Sequence, residues 1–299
     1  MTAGDNAMKK TIKTVLIILC AAAAAVTFLP DAKADIGPKP SVVVDFIGFE
    51  GKTYYVTLLS SAESTGPYSV PDISSLEALR YEEHDEEFDI FIKFAEYKDP
   101  DGFYFLQLFS DCTQTHSFRW TYYPPQEFKV LVYFPETDSF AVSSGSFERY
   151  AFDSYFTAGP DESSGINITL SIVKSYNYFG ELLSLAVRIV LTIALEIAVA
   201  LLFRLKDKKT LRFITVVNIV TQTALNASLN IINFRMGAMA FVICYILFEA
   251  VIFAAEALLY AFRLKDKDSK TKLVFYALSA NAASFIFGIL LAYWLPGIL

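Results

Sequence analysis

The hydrophobic pattern of this chain changes period once, near residue 178. From 35 to about 178, short β-branched and aromatic runs alternate with polar positions, the two-residue repeat of strands with one buried face. SVVVDFIGF (41–49) and TYYVTLLS (53–60) flank Glu50-Gly51-Lys52, which predicts a hairpin. FDIFIKFAEY (88–97) and FYFLQLFSDC (103–112) flank the turn residues 98–102 and predict a second one. In the first of these, Phe88, Ile90, Ile92 and Phe94 would form the apolar face. FKVLVYF (128–134), SFAVSS (139–144) and INITLSIV (166–173) bring the expectation to about seven or eight strands. Such spacing fits an antiparallel β-sandwich, with a short helix expected within 72–83.

Past 178 the runs become long and continuously apolar. Four spans are predicted, at 182–203, 211–232, 237–262 and 273–295. The first holds 22 residues, about 33 Å as a helix and enough to cross a bilayer. The expected architecture is thus an all-β extracellular domain (35–179) followed by a four-helix transmembrane domain (180–299). Two six-residue repeats, FRLKDK at 203–208 and again at 262–267, fall between these spans. Each would be the inner turn of a transmembrane hairpin, the two hairpins being either duplicates or separate sequences that converge on a positive-inside turn.

Charge supplies an orientation. The stretch 35–180 holds 23 acidic against 9 basic residues, a balance of −14. The segments 204–212 and 263–272 each hold 5 basic residues, against 1 and 2 acidic ones. By the positive-inside rule both basic loops are cytoplasmic, which leaves the β domain and the C-terminus outside. The N-terminus agrees. Lys9, Lys10 and Lys13 precede an apolar stretch, and Ala32-Lys33-Ala34 supplies a small-x-small cleavage pattern. A signal peptide over 1–34, cut after Ala34, is therefore expected, an uncleaved anchor being the alternative. A lipid anchor on Cys20 fits poorly, because Leu19 occupies a position that wants a small residue. The mean hydropathy of +0.41 exceeds that of ordinary soluble domains and agrees with a lipid-facing portion. The expected location is a plasma membrane, with a bacterial envelope suggested by the compact leader.

Cys20, Cys112 and Cys244 fall in the leader, the β domain and an apolar span, so no disulfide framework within one chain is expected. The polar residues inside the spans are the candidates for chemistry. Glu196, Glu249 and Glu256 lie in apolar helices, where ionisable groups are costly. Glu249 and Glu256, seven apart, share a helix face. Asn218, Gln222, Asn226 and Asn230 recur every four residues, and Asn281 and Ser284 add to them from the last span. These groups should face the bundle interior, either as interhelical fasteners and a docking face or as an ion or proton path. Arg188 would be an interface anchor or a partner of Glu181.

In the β domain, YEEHDEEFD (81–89) surrounds His84 with acids but lacks the ligand spacing of a calcium loop. The DPDG turn at Asp99 and the aromatic WTYYPP at 120–125 are weaker ligand candidates. Asn167-Ile168-Thr169 is a glycosylation sequon that matters only in a eukaryotic secretory route. Ser171 and Lys174 match S-x-x-K without its companion motifs, and no nucleophile elbow, phosphate loop or zinc-ligand set occurs. No cofactor, metal or nucleic acid is implied. The expected function is a non-enzymatic envelope protein. Its β domain would bind or sense an extracellular ligand, and its helices would contact membrane lipid and a membrane-protein partner or a second copy. The alternative is a small transporter or channel subunit.

Overall fold

The computed structural model describes residues 37–72, 80–82, 85–161, 169–264 and 268–294, with side chains through Leu290. The leader, most of the short helix expected within 72–83, His84, most of the sequon and Lys265 to Lys267 of the second FRLKDK lie outside them. The chain divides into two compact units, Pro38–Tyr176 and a helical unit from Asn177 onward.

The first unit is built on one sheet. Its strands are β1 (Ser41–Phe46), β2 (Tyr55–Ser60), the small separate pair β3 (Ser64–Thr65) and β4 (Tyr68–Ser69), then β5 (Tyr104–Phe105) and β6 (Ser110–Asp111). They continue as β7 (Ser117–Trp120), β8 (Glu127–Phe134), β9 (Ser139–Ser143), β10 (Phe147–Glu148), β11 (Asp153–Pro160) and β12 (Thr169–Lys174). Ten of them join one sheet in the order β5-β2-β8-β9-β12-β11-β1-β7, with β6 and β10 attached to β2 and β8. The sheet is mixed, since β1 runs parallel to β11 and β12 parallel to β9. It curls into a half-barrel, so the expected antiparallel sandwich is corrected.

Strand alternation sorts the side chains between the two faces of the sheet. Val56 and Leu58 of β2, with Phe128, Val130 and Val132 of β8, point into one core with Val42, Val44, Trp120 and Phe156. Leu59, Leu131 and Tyr133 leave the other face. That second face is covered by α1 (Phe88–Glu96), which was expected to be a strand. Phe91, Phe94 and Ala95 are its buried residues, a helical spacing rather than an alternating one. The segment satisfies either period, and the helix prevails because it lays both phenylalanines on the outer face of β2 and β8. Each fully buried phenylalanine contributes about 1.5–3 kcal/mol there.

Both predicted turns exist, yet neither joins a hairpin of the expected kind. The Lys52 amide donates to the Phe49 carbonyl at 3.1 Å, but the strand before it pairs with β11 and β7 instead of β2. The Gly102 amide donates to the Asp99 carbonyl at 3.1 Å, with a helix on one side and the two-residue β5 on the other.

Cys112 is free and fully buried, and burial pushes its thiol up to about 12, helped by the charge of Asp111. The thiolate is the reactive form. Maleimide should therefore label Cys112 of the native protein at pH 7.5 at least tenfold more slowly than after denaturation. Rapid native labelling, read by mass spectrometry of the peptide, would show this core to be open.

The helical unit contains α2 (Tyr178–Leu202), α3 (Lys208–Arg263) and α4 (Lys270–Trp294). All three are long and apolar enough to cross a membrane. α2 starts where the Asn177 side chain accepts from the Gly180 amide at 2.9 Å. α3 is interrupted at Gly237, whose φ of 80° and ψ of 178° are nearly exclusive to glycine. There α3 folds back on itself. Asn218 and Tyr260 are hydrogen-bonded at 3.2 Å, whereas 42 residues of straight helix would separate them by about 63 Å. Leu225, Leu229 and Ile232 of the first arm pack on Cys244, Phe248 and Ile252 of the second. Gly237→Ala should cost about 1–3 kcal/mol by forcing a side chain into that backbone region. Thermal unfolding of the full-length protein in detergent measures it, and an unchanged midpoint would mean that the bend does not need glycine.

The first FRLKDK is a helix stop fused to a helix start. Leu205 and Arg204 amides donate back to Ala200 and Leu201 carbonyls at 2.9 and 3.0 Å, with Arg204 left-handed at φ 62°. Asp207 then accepts from the Thr210 amide and hydroxyl at 3.2 and 3.1 Å and caps α3. Its leucine is buried, as is Leu264 in the second copy. The charges of the motif therefore ride on a leucine that anchors the turn in the apolar core.

Candidate functional site

The costly residues of the spans converge in the helical unit. Glu196 of α2 accepts from the Asn218 amide of α3 at 2.5 Å. Glu256, on the returning arm of α3, accepts from Thr221 at 2.7 Å and from the Asn281 amide of α4 at 2.8 Å. All four glutamate and asparagine side chains are fully buried. Each helical hairpin thus carries one Glu–Asn pair, with the glutamate before its FRLKDK and the asparagine after it. Both asparagines also donate to the carbonyl four residues earlier, Ile214 at 3.2 Å and Ala277 at 3.0 Å.

Tyrosines close this cluster on the side of the basic loops. Tyr260 is bonded to Asn218, and the Tyr276 hydroxyl donates to the Glu196 carbonyl at 3.4 Å. The two rings lie 5.6 Å apart, with Phe213 against one and Phe203 against the other. Acceptor capacity is left over. Glu196 Oε1, Asn218 Oδ1 and Asn281 Oδ1 are buried with no hydrogen-bond partner within the protein.

Four residues along α3 from Asn218, the polar stripe leaves the cluster and enters a cavity of about 400 Å³ between the helices. Gln222, Asn226, Glu249 and Ser284 line it, together with Arg188 and Tyr245. Apart from Thr192, the rest of the wall is apolar, from Leu191, Phe241, Phe285 and their neighbours. Glu249 is 6% exposed, and its Oε2 has no partner within the protein. Tyr245 lies one helical turn before it, while the Arg188 guanidinium sits 5.8 Å from the Phe241 ring. A Cβ added at Gly288 would meet the Tyr245 hydroxyl at 3.1 Å, so glycine there keeps the cavity open.

The sequence candidates therefore divide into two groups. Glu196, Asn218, Glu256 and Asn281 bind one another, and Gln222, Asn226 and Glu249 face the cavity. Tyr260 and Tyr245 escaped notice although each lies four residues from a glutamate, a spacing visible in the sequence. Thr221, Tyr276 and Gly288 depend on how the helices are set against one another, which no local pattern gives.

The β-domain candidates resolve into structural roles. Asp99 Oδ1 and Oδ2 each accept from the Lys129 ammonium at 3.1 Å, and Asp101 accepts from it too. The position a cation would take at DPDG is filled by this lysine. Among the described residues no group of three His, Cys, Asp or Glu converges to hold a metal. The acids of 81–89 that are described head α1: Asp85 accepts from the Glu82 amide at 2.8 Å and Asp89 lies in the first turn. They were the available signal that a helix follows. Trp120 is fully buried and donates to the Tyr122 carbonyl at 2.9 Å, and Pro124 and Pro125 are buried as well, while Thr121 and Tyr122 of WTYYPP stay exposed. His116 is bonded to the Tyr54 hydroxyl at 2.9 Å. Ser171 and Lys174, three apart on β12, leave opposite faces of the sheet.

Neither the known protein families, nor the curated proteins, nor the solved structures include a match to this chain.

Proposed function

We propose that this chain is a non-enzymatic, multi-pass membrane protein of the cell envelope that binds a small ligand inside its helical domain and displays an exported β domain. α2, the two arms of α3 and α4 cross the membrane as four spans, with both basic turns in the cytoplasm. The positive balance of those turns and the −14 of residues 35–180 support this orientation. The observation that carries the binding role is Glu249, a carboxyl 6% exposed that faces a cavity with one oxygen unpartnered. Native interiors rarely leave such a group unused. The Glu–Asn pairs act as fasteners within the chain, and their like placement in the two hairpins supports duplication. A membrane-protein partner or second copy would then dock on apolar helix faces, for which exposed Leu202, Ile246 and Phe262 are available.

Two measurements test this. With cysteine placed at Lys206 and at Ser144, a membrane-impermeant maleimide should label only the latter in intact cells. Labelling at 206 before permeabilisation would reverse the orientation. In detergent, a total lipid extract should raise the unfolding temperature of the full-length protein and leave Gly288→Leu, whose side chain fills the cavity, unmoved. Equal shifts would remove the cavity as a binding site.

A second reading has its own support. The polar file from Glu249 through Glu256 to Glu196 suits a transport subunit, with groups that exchange protons along its length. Proton-dependent flux in liposomes that Glu249→Gln abolishes would favour it, and equal flux in the two proteins would sink it.

A further inference from the structure

The cavity is defined chemically as well as sterically. Its volume of about 400 Å³ lies within the range of small-molecule sites, and its wall is mostly apolar with a few convergent polar groups. Two of those groups are of opposite sign, Glu249 and Arg188. Glu249 Oε2 is a buried acceptor with no partner within the protein, so a donor brought to it would satisfy it. Arg188, half-buried beside the Phe241 ring, presents donors that pair best with carboxylate or phosphate. A lone amine would meet repulsion from Arg188, and a lone anion would leave Glu249 Oε2 without a donor. One molecule carrying both signs satisfies both walls.

We propose that the cavity binds a zwitterionic aminophospholipid headgroup, its ammonium at Glu249, its phosphate at Arg188 and its acyl chain along Leu191, Phe241 and Phe285. The proposal rests on the helical domain being a ligand-binding unit, and it adds the ligand's class. The same ammonium–phosphate chemistry occurs in soluble phosphoethanolamine, but the apolar wall favours the form with a chain. Gln222, Asn226 and Ser284 supply further hydrogen-bonding groups around the polar end. Ser284, whose hydroxyl donates to the Asn281 carbonyl at 3.0 Å, joins the cavity to the inner cluster.

The test is titration of the full-length protein in a non-ionic maltoside detergent with three probes, followed by native mass spectrometry. The probes are lysophosphatidylethanolamine, lysophosphatidic acid, which lacks the ammonium, and phosphoethanolamine, which lacks the chain. Lysophosphatidylethanolamine should bind at least tenfold more tightly than either of the others. Glu249→Gln and Arg188→Met should each weaken it at least tenfold, and Gly288→Leu should abolish it. Binding lost in Gly288→Leu but unchanged in the two charge variants would keep the cavity as a ligand site and overturn the zwitterion assignment. Equal binding in all four proteins would overturn both. Tighter binding of phosphoethanolamine than of the lysolipid would overturn the membrane source in favour of a soluble ligand.

Discussion

Lys129→Met destabilises the β domain by about 3–5 kcal/mol, the usual cost of removing one partner from a buried ion pair. The lysine side chain is 5% exposed and the Asp99 side chain 0%, so the orphaned carboxylate has no route to water. Asp99 also accepts from the Asp101 and Phe103 amides at 3.1 and 3.4 Å, which holds the turn in place around the missing charge. The measurement is chemical unfolding of the full-length protein in detergent, followed by Trp120 fluorescence in a Trp294→Phe background. Pairing Lys129→Met with Asp99→Asn should recover much of the loss, because replacing both charges is often near neutral. A loss below about 1 kcal/mol for the single change would show that this pair behaves like an exposed one.

The pair also sets an alkaline limit. Burial works against the Lys129 ammonium, but the hydrogen bonds and charges of Asp101 and Asp99 outweigh it and hold its pKa above the ordinary lysine value. A group raised in the folded state contributes fully below its unfolded pKa. That contribution is lost as pH climbs through the folded value, so β-domain stability should fall above about pH 10.5. Lys129→Met should show a smaller fall, the remainder coming from buried groups such as the Cys112 thiol, whose pKa is also raised in the folded state.

The second large effect belongs to the helical domain. Asn218→Leu leaves Glu196 Oε2 without its donor, and Asn281→Leu removes one of the two donors to Glu256. Each change orphans a buried acceptor at a cost of about 1–3 kcal/mol, well above the roughly 0.6 kcal/mol typical of an interhelical polar contact in lipid. Together they should cost about 2–6 kcal/mol and lower the thermal midpoint of the full-length protein in detergent below that of either single variant. A double variant that unfolds with the wild type would mean that apolar packing alone sets the bundle.

How much of this was legible in the sequence differs between the two domains, for one reason. In a long apolar helix the residues that meet are set by a 3.6-residue period and by the turns at its ends. The long apolar helices, the first FRLKDK turn and the inward direction of Glu196, Asn218, Glu256 and Asn281 could all be read before the fold was known. What could not be read was the pairing, Glu196 with Asn218 and Glu256 with Asn281, or that Gln222, Asn226 and Glu249 open onto a cavity while their neighbours are sealed. Those facts depend on helix depth and rotation relative to other helices.

In the β domain the local signals were right about turns, and wrong about partners and about the buried face of 88–96. The Phe49–Lys52 and Asp99–Gly102 turns exist, yet β1 leaves its turn to lie between β11 and β7. Strand pairing is a choice among distant edges, each offering the same backbone groups, so it is decided by how the whole sheet closes on its core. Likewise FDIFIKFAE holds apolar residues at both periods. The acids before it favour a helix start, and only the uncovered outer face of β2 and β8 made the helical spacing of Phe91 and Phe94 the better fit. The sequence by itself determined where the chain turns, which segments are long and apolar enough to span a membrane, and which polar residues they carry inside. The tertiary structure decided which strands meet, which carboxyl is paired and which is left facing open space, because those outcomes depend on contacts between residues far apart in the chain.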